Sequence, residues 1–209
     1  MRTSIWLVRH AQTQFNLERR YQSSSDSPIT AYGERQMAAL AARLRRIPFT
    51  EALISPTART RAAAEMILAG RSGVNIQVDP AWAETNHGRW EGLTYREVMA
   101  RYGDEARARW TNGINGRPQG GESLADVAAR VGAAWNQLRR EPLGRRMLIV
   151  THATPIQLVI CACTGMPPNE HWRWRIDTTG ITSIDLYGAG PIIRMINNVP
   201  RLDAATDSE

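Results

Sequence analysis

Short apolar runs of strand length alternate along the chain with stretches whose apolar positions recur at helical spacing. SIWLV (4–8) reads as a buried strand. AYGERQMAALAARLRRI (31–47) has the pattern of an amphipathic helix, and Pro48 stops it. EALIS (51–55) is a second strand, and ARTRAAAEMILAG (58–70) is a helix that closes on Gly70 as its C-cap. VNIQV (74–78) alternates as a third strand. SLADVAARVGAAWNQLRR (123–140) is a long helix, with Ser123 as N-cap and Asp126 completing a weak capping box. MLIVT (147–151) is another buried strand, and TPIQLVICACTG turns helical from about Pro155. ITSIDLY and PIIRMINNV flank the turn GAG and read as a hairpin. The pattern weakens over 79–121, where Trp, Gly and Arg dominate around one short helix, Tyr95 to Tyr102. RLDAATDSE (201–209) is a polar tail expected to fray.

Strands alternating with helices predict an α/β fold: a three-layer sandwich with a mostly parallel central sheet flanked by helices. With 209 residues the chain can build one good core and falls short of two. The expectation is a single domain over 1–200, with 79–121 as a cap-like insertion over the site. Ligands of such sheets bind at the carboxyl ends of the strands. Arg9 and His10 stand at the end of the first apolar run, and His152 stands at the end of MLIVT. Arg59, in SPTAR, follows the second strand, and Glu84, in WAETNHG, follows the third.

Composition narrows the possibilities. An apolar content of 43% and a charged content of 22% are ordinary for a soluble domain. No apolar run is long enough to span a membrane, and MRTSIWLVRH is charged too early for a signal peptide. A cytoplasmic protein with no membrane partner is expected. Cys161 and Cys163 suit neither a disulfide nor a zinc site and read as buried small hydrophobes. The net charge of +6 and pI of about 10.1 bring nucleic acid into view. All 26 basic residues are Arg, scattered and without an aromatic-rich RNA-binding signature, so a nucleic-acid partner is not expected. The absence of Lys removes Schiff-base chemistry and a Walker-type phosphate site.

The residues at the strand ends suggest one chemistry. Two guanidiniums, Arg9 and Arg59, match the oxygens of a phosphate dianion. A neutral imidazole of His10 or His152 is a competent nucleophile toward phosphorus. Glu84 could protonate a departing alkoxide and later take a proton from water. His10, His152 and Glu84 lack the spacing of HExxH, and Arg9 beside His10 would repel a cation. No metal and no other cofactor is expected. No GxSxG elbow surrounds Ser55, which argues against a serine hydrolase.

In order, LVRHAQTQFN, RYQSSSDSPITAYGERQ, SPTARTRAAAE, ETNHGRWEG, GGES and VTHATP span nearly the whole chain. Together these blocks resemble the histidine phosphatase superfamily, which has the phosphoglycerate-mutase-like fold. The resemblance implies that His10 is the phosphorylated nucleophile. It places Arg9, Arg59 and His152 in the phosphate pocket and makes Glu84 the proton donor. Asn16, Gln22, Ser23 and Ala153 match positions at the phosphate or substrate. Ala11, Ser23 and Ala153 stand where the family commonly has Gly, and the added side-chain atoms are expected to narrow or retune the pocket. In GGES, Glu122 and Ser123 match a recurrent block, with Ser123 favoured as a helix start.

Other residues receive plainer readings. His87 and His171 are expected at the surface or in loops, and Arg89, Arg173 and Arg175 on solvated faces. Trp82, Trp90, Trp110, Trp172 and Trp174 are expected to pack, with a Trp-lined lid involving Trp110 as the alternative. ETNHGRWEG looks like the phosphatase branch. The expected activity is a phosphoric monoester hydrolase of histidine acid phosphatase type. It would be metal-independent and act on a small phosphorylated metabolite, with a homodimer suggested by analogy only. The alternatives are mutase-type phosphoryl transfer and a non-catalytic scaffold that keeps the fold.

Overall fold

The computed structural model describes residues 1–202 and the side chains of all of these except Trp110. Most of the polar tail therefore lies outside the described residues, as does the side chain on which the Trp-lined lid was to rest. Six strands form one sheet: β1 (Thr3–Arg9), β2 (Glu51–Ile54), β3 (Asn75–Val78), β4 (Arg146–Thr151), β5 (Ile181–Tyr187) and β6 (Gly190–Asn198). Their order is β3-β2-β4-β1-β5-β6. The first four run parallel, and β5 and β6 add an antiparallel edge.

Helices cover both faces, as the mixed strand and helix pattern requires. α2 (Ala31–Leu44) and α3 (Ala58–Leu68) close one core, which contains Val8, Leu40, Ile54, Ile67 and Val150. α5 (Leu124–Arg140) and α6 (Ala153–Thr164) close the other, around Ile5, Leu7, Trp82, Trp135, Ile149 and Ile156. The alternation of β1 is visible here, because Ile5 and Leu7 face one core and Val8 the other. Ser123 caps α5, and its hydroxyl donates to Asp126 at 2.7 Å, which completes the expected capping box. Gly70 takes φ 71° just beyond α3, a left-handed turn that suits a residue without Cβ.

Three elements differ from expectation. α1 (Gln14–Leu17) was not foreseen, although Thr13 and Asn16 form its capping box. α4 (Tyr95–Thr111) is much longer than Tyr95 to Tyr102. It kinks at Tyr102 (φ −135°) beside Gly103, then resumes because Ala106 is buried against Trp90 and Val98. α6 starts at Ala153, directly after His152, so strand and helix share a junction with no loop between them. VNIQV does form a strand, but it lies at the edge of the sheet and Ile76 and Val78 are both about half exposed, 52% and 53%. Alternation there buries neither face.

Candidate active site

β1 and β4 are parallel neighbours, with Arg9 opposite Thr151. The residue after each strand end is a histidine. His10 N–H donates to the Thr151 carbonyl at 3.1 Å, so the ladder carries the two imidazoles to the same level. Their ring centroids lie 5.1 Å apart, close to the roughly 4.8 Å spacing of adjacent strands. Two blocks more than a hundred positions apart in sequence thus meet through sheet register alone.

His10 is buried, and its Nδ1–H donates to the Ala11 carbonyl at 2.7 Å. A carbonyl can only accept, so the neutral ring carries its proton on Nδ1 and its lone pair on Nε2. Burial first, then the guanidiniums of Arg59 and Arg9, hold His10 well below the usual imidazole range. His152 is buried with the opposite tautomer. Arg59 Nη2 donates to its Nδ1 at 3.2 Å, and its Nε2–H donates to Ser55 Oγ at 2.7 Å. It too is held well below its ordinary value, by burial and then by His10, Arg59 and Arg9.

Arg59 stands in the first turn of α3 and is only 2% exposed. Its guanidinium donates to the carbonyls of Ser23 at 2.6 Å and Ser25 at 3.2 Å. Burial pushes it down to about 10, so it remains a cation at neutral pH. Arg9 donates to the Ile176 carbonyl at 2.7 Å. The Nε atoms of both arginines are buried without a hydrogen-bond partner among the described residues. Buried donors of this kind are costly unless something else accepts from them.

Glu84 sits on the loop after β3. Thr85 N–H donates to its Oε1 at 2.8 Å, and Thr154 N–H, in the first turn of α6, lies 3.4 Å from its Oε2. The contact with Thr154 ties it to the α6 turn that begins just after His152, and its charge raises Arg9 and Arg59 against their burial. Among the described residues no group of His, Cys, Asp and Glu could hold a metal ion.

Gln22, Ser23, Asn16 and Ala153 also lie nearby, but much of their polar capacity is used internally. Gln22 accepts from Thr13 at 2.8 Å and donates to the Ser25 carbonyl at 3.3 Å. Asn16 Oδ1 accepts from Thr13 N–H at 3.1 Å. Ala11, Ser23 and Ala153 all have negative φ, so none of them needs the freedom of Gly. His87 is on a loop as expected and His171 lies in a short 3-10 helix (Pro168–Arg173), but both are half-buried and feel the charge of Glu84.

Two braces were not legible in advance. Glu91, from the GRWEG block, accepts from the backbone N–H groups of Ser23 (2.8 Å) and Ser25 (3.1 Å) and from both hydroxyls. It holds the loop whose carbonyls hold Arg59. Arg130, on α5, donates to the carbonyls of Ala83 at 2.8 Å and Glu84 at 3.0 Å and pairs with Glu122. It pins the Glu84 loop. Gly121 packs so tightly there that a Cβ would meet Asn86 O at 2.5 Å. Trp82 and Trp90 pack as expected, while Trp172 is 66% exposed with Arg173 over its ring. Cys161 and Cys163 are free, and burial pushes the Cys163 thiol up to about 12.

The tautomers are directly observable. With 4 His in the chain, nitrogen-15 spectra will show His10 as the Nδ1–H form and His152 as the Nε2–H form. Both are expected to stay neutral below pH 6.5. Their folded values are depressed, so unfolded imidazoles bind protons first as pH falls through about 6.5. Stability from these groups is present above that pH and is lost below it, by up to about 1.4 kcal/mol per pH unit per group. A His10 that titrates at an ordinary value would contradict this geometry.

Sheet order and site together define a class of α/β protein: an Arg-His pair ends the first strand, and a second His ends its parallel neighbour. The model of the histidine phosphatase superfamily (branch 1) matches residues 5–199, and the chain belongs to that family. The chain is 32% identical over 206 residues to the probable phosphoglycerate mutase GpmB of Escherichia coli O139:H28, covering 96% of this chain and 95% of that one. It superposes with TM-score 0.88 on a putative alpha-ribazole-5'-P phosphatase from Escherichia coli K-12, at 26% identity and covering 94% and 96% of the two chains. The alpha-ribazole phosphatase from Shigella flexneri gives TM-score 0.87 at 27% identity, covering 95% and 96%. Family and relatives indicate an enzyme of phosphatase or mutase type. No helix among the described residues is long and apolar enough to cross a membrane.

Proposed function

We propose that the protein is a metal-independent phosphomonoesterase that works through a phosphohistidine on His10. The observation that carries this reading is the tautomer of His10: its Nδ1 proton is tied to Ala11 O, which leaves the Nε2 lone pair free beside two guanidiniums. Nε2 attacks phosphorus, the P–O bond to the alcohol breaks, and Glu84 delivers a proton to the departing oxygen. Water then attacks the phosphorus, Glu84 accepts its proton, the P–N bond breaks, and inorganic phosphate leaves. Arg9 and Arg59 supply fixed positive charge to the equatorial oxygens throughout, the role a metal ion plays in other phosphoryl-transfer sites. Segment 79–121 acts as the cap, since it carries Glu84 and packs a small cluster of its own, Trp90, Val98 and Ala106.

The similarity to a probable phosphoglycerate mutase supports a second reading, in which another hydroxyl replaces water as acceptor. One assay separates the two. Phosphate release from p-nitrophenyl phosphate, alpha-ribazole 5'-phosphate, phosphoserine and 3-phosphoglycerate is measured in EDTA. Release that survives EDTA supports the phosphatase. Isomerisation of phosphoglycerate with little release supports the mutase, and loss of all activity in EDTA rejects metal independence.

A further inference from the structure

Beside the catalytic cluster lies a second feature that the reaction does not use. A cavity of about 520 Å³ meets the site at Arg9 and is lined also by Asn16, Arg19, Arg20, Tyr21 and Asp177. It is far larger than a phosphoryl group needs and falls in the range of small-molecule sites. Three guanidiniums face it against one carboxylate.

Most of that charge is already committed. Arg20 is held by Glu97 (2.9 Å), Glu18 and the Gly92 carbonyl (2.9 Å). Asp177 accepts from Arg175 (2.8 Å) and from Asn197 (2.9 Å). Arg9 donates to Ile176 O. Arg19 is different: it is exposed, and among the described residues its guanidinium has no partner. Its backbone is also unusual. Arg19 has φ 55°, the left-handed conformation just past α1, where Gly would fit without penalty. A Cβ-bearing residue there sets a free cation on the cavity wall.

From this arrangement we infer that Arg19 is a specificity-determining residue. It recognises a second anionic group, carboxylate or phosphate, on the alcohol portion of the phosphate ester. The inference rests on the phosphomonoesterase reading and adds the class of substrate. The transferred phosphoryl group lies with Arg9, Arg59 and His10, and the distal anion meets Arg19 across the cavity. A guanidinium suits either anion, because its planar fork matches both.

The test compares esters that share a scaffold and differ in one anionic group. One pair is glycerol 3-phosphate and 3-phosphoglycerate; the other is fructose 1-phosphate and fructose 1,6-bisphosphate. Wild type is expected to prefer the more anionic member of at least one pair in kcat/KM. In Arg19→Gly that preference falls about tenfold, mainly through KM, as a lost charged contact requires. Arg19→Lys restores part of it. The pair that responds identifies the distal anion. Because Gly suits the backbone at φ 55°, the melting temperature of Arg19→Gly stays level or rises, which separates this loss from unfolding. An unchanged preference in a folded, active Arg19→Gly overturns this inference alone. No release from any ester by wild type overturns the phosphomonoesterase reading and this inference with it.

Discussion

His10→Ala will lower phosphate release by roughly four orders of magnitude or more, the scale on which removal of a nucleophile acts. The expectation rests on the position of His10 rather than on its type alone. Its Nδ1 is fixed by Ala11 O at 2.7 Å, and its neighbours are Arg9, Arg59 and His152. His152 cannot replace it, because Arg59 donates to its Nδ1 and its Nε2 proton is committed to Ser55. The variant loses a buried ring, so its fold must be checked by circular dichroism and melting. A trapping experiment adds an independent readout. Wild type quenched during turnover will carry an acid-labile, base-stable phosphoramidate, and the variant will carry none. Release close to wild type in a folded His10→Ala would reject the phosphohistidine and return attention to direct attack by water.

Glu84→Gln will produce the second-largest effect, and its size will depend on the leaving group. General acid catalysis contributes about 10²- to 10⁴-fold. An alkyl ester departs as a strongly basic alkoxide and needs that proton, so its kcat is expected to fall across this range. p-Nitrophenolate departs readily without it, so its first step will be hardly affected. Phosphohistidine hydrolysis will then become limiting, because the substituted amide cannot accept a proton from water. A burst of p-nitrophenol followed by slow turnover is the expected trace. The substitution is nearly isosteric and keeps one acceptor oxygen, enough for the shorter bond from Thr85 N–H at 2.8 Å, while the longer 3.4 Å contact with Thr154 N–H is lost. Equal losses for alkyl and aryl esters, with no burst, would place the proton donor elsewhere. His87 and His171, both half-buried and both within the field of Glu84, would then be the next candidates.

Much of this could be read along the chain because it depends on local rules. The strand character of SIWLV and MLIVT follows from apolar runs of the right length, and the caps at Ser123 and Gly70 from side chains and glycine near helix ends. The Arg-His pair and the later His announced themselves by standing where apolar runs stop. Where a local cue misled, packing had overridden it. The short helix was expected to span Tyr95 to Tyr102, yet α4 continues past its kink because Ala106 is buried in the Trp90 cluster. The resemblance placed Asn16 and Gln22 at the phosphate or substrate, and the fold adds a second task for each, a hydrogen bond with Thr13.

By itself, then, the sequence determined the α/β class, the two core-facing patterns and which side chains are proposed to react, since each depends on short-range periodicity or on the chemistry of one side chain. Only the tertiary structure decided how those groups are aimed. Register between β1 and β4 sets the 5.1 Å approach of the two imidazoles, and opposing hydrogen-bond partners give them opposite tautomers. Glu91 and Arg130 brace the loops of Arg59 and Glu84 through backbone groups, which carry no residue-specific signal in a sequence. The free guanidinium of Arg19 was one of 26 basic groups until the fold set it on the wall of a cavity beside Arg9. Long-range partners of this kind exist only once the chain has folded, because the separations along the backbone say nothing about which carbonyl, carboxylate or cation will lie within hydrogen-bonding distance.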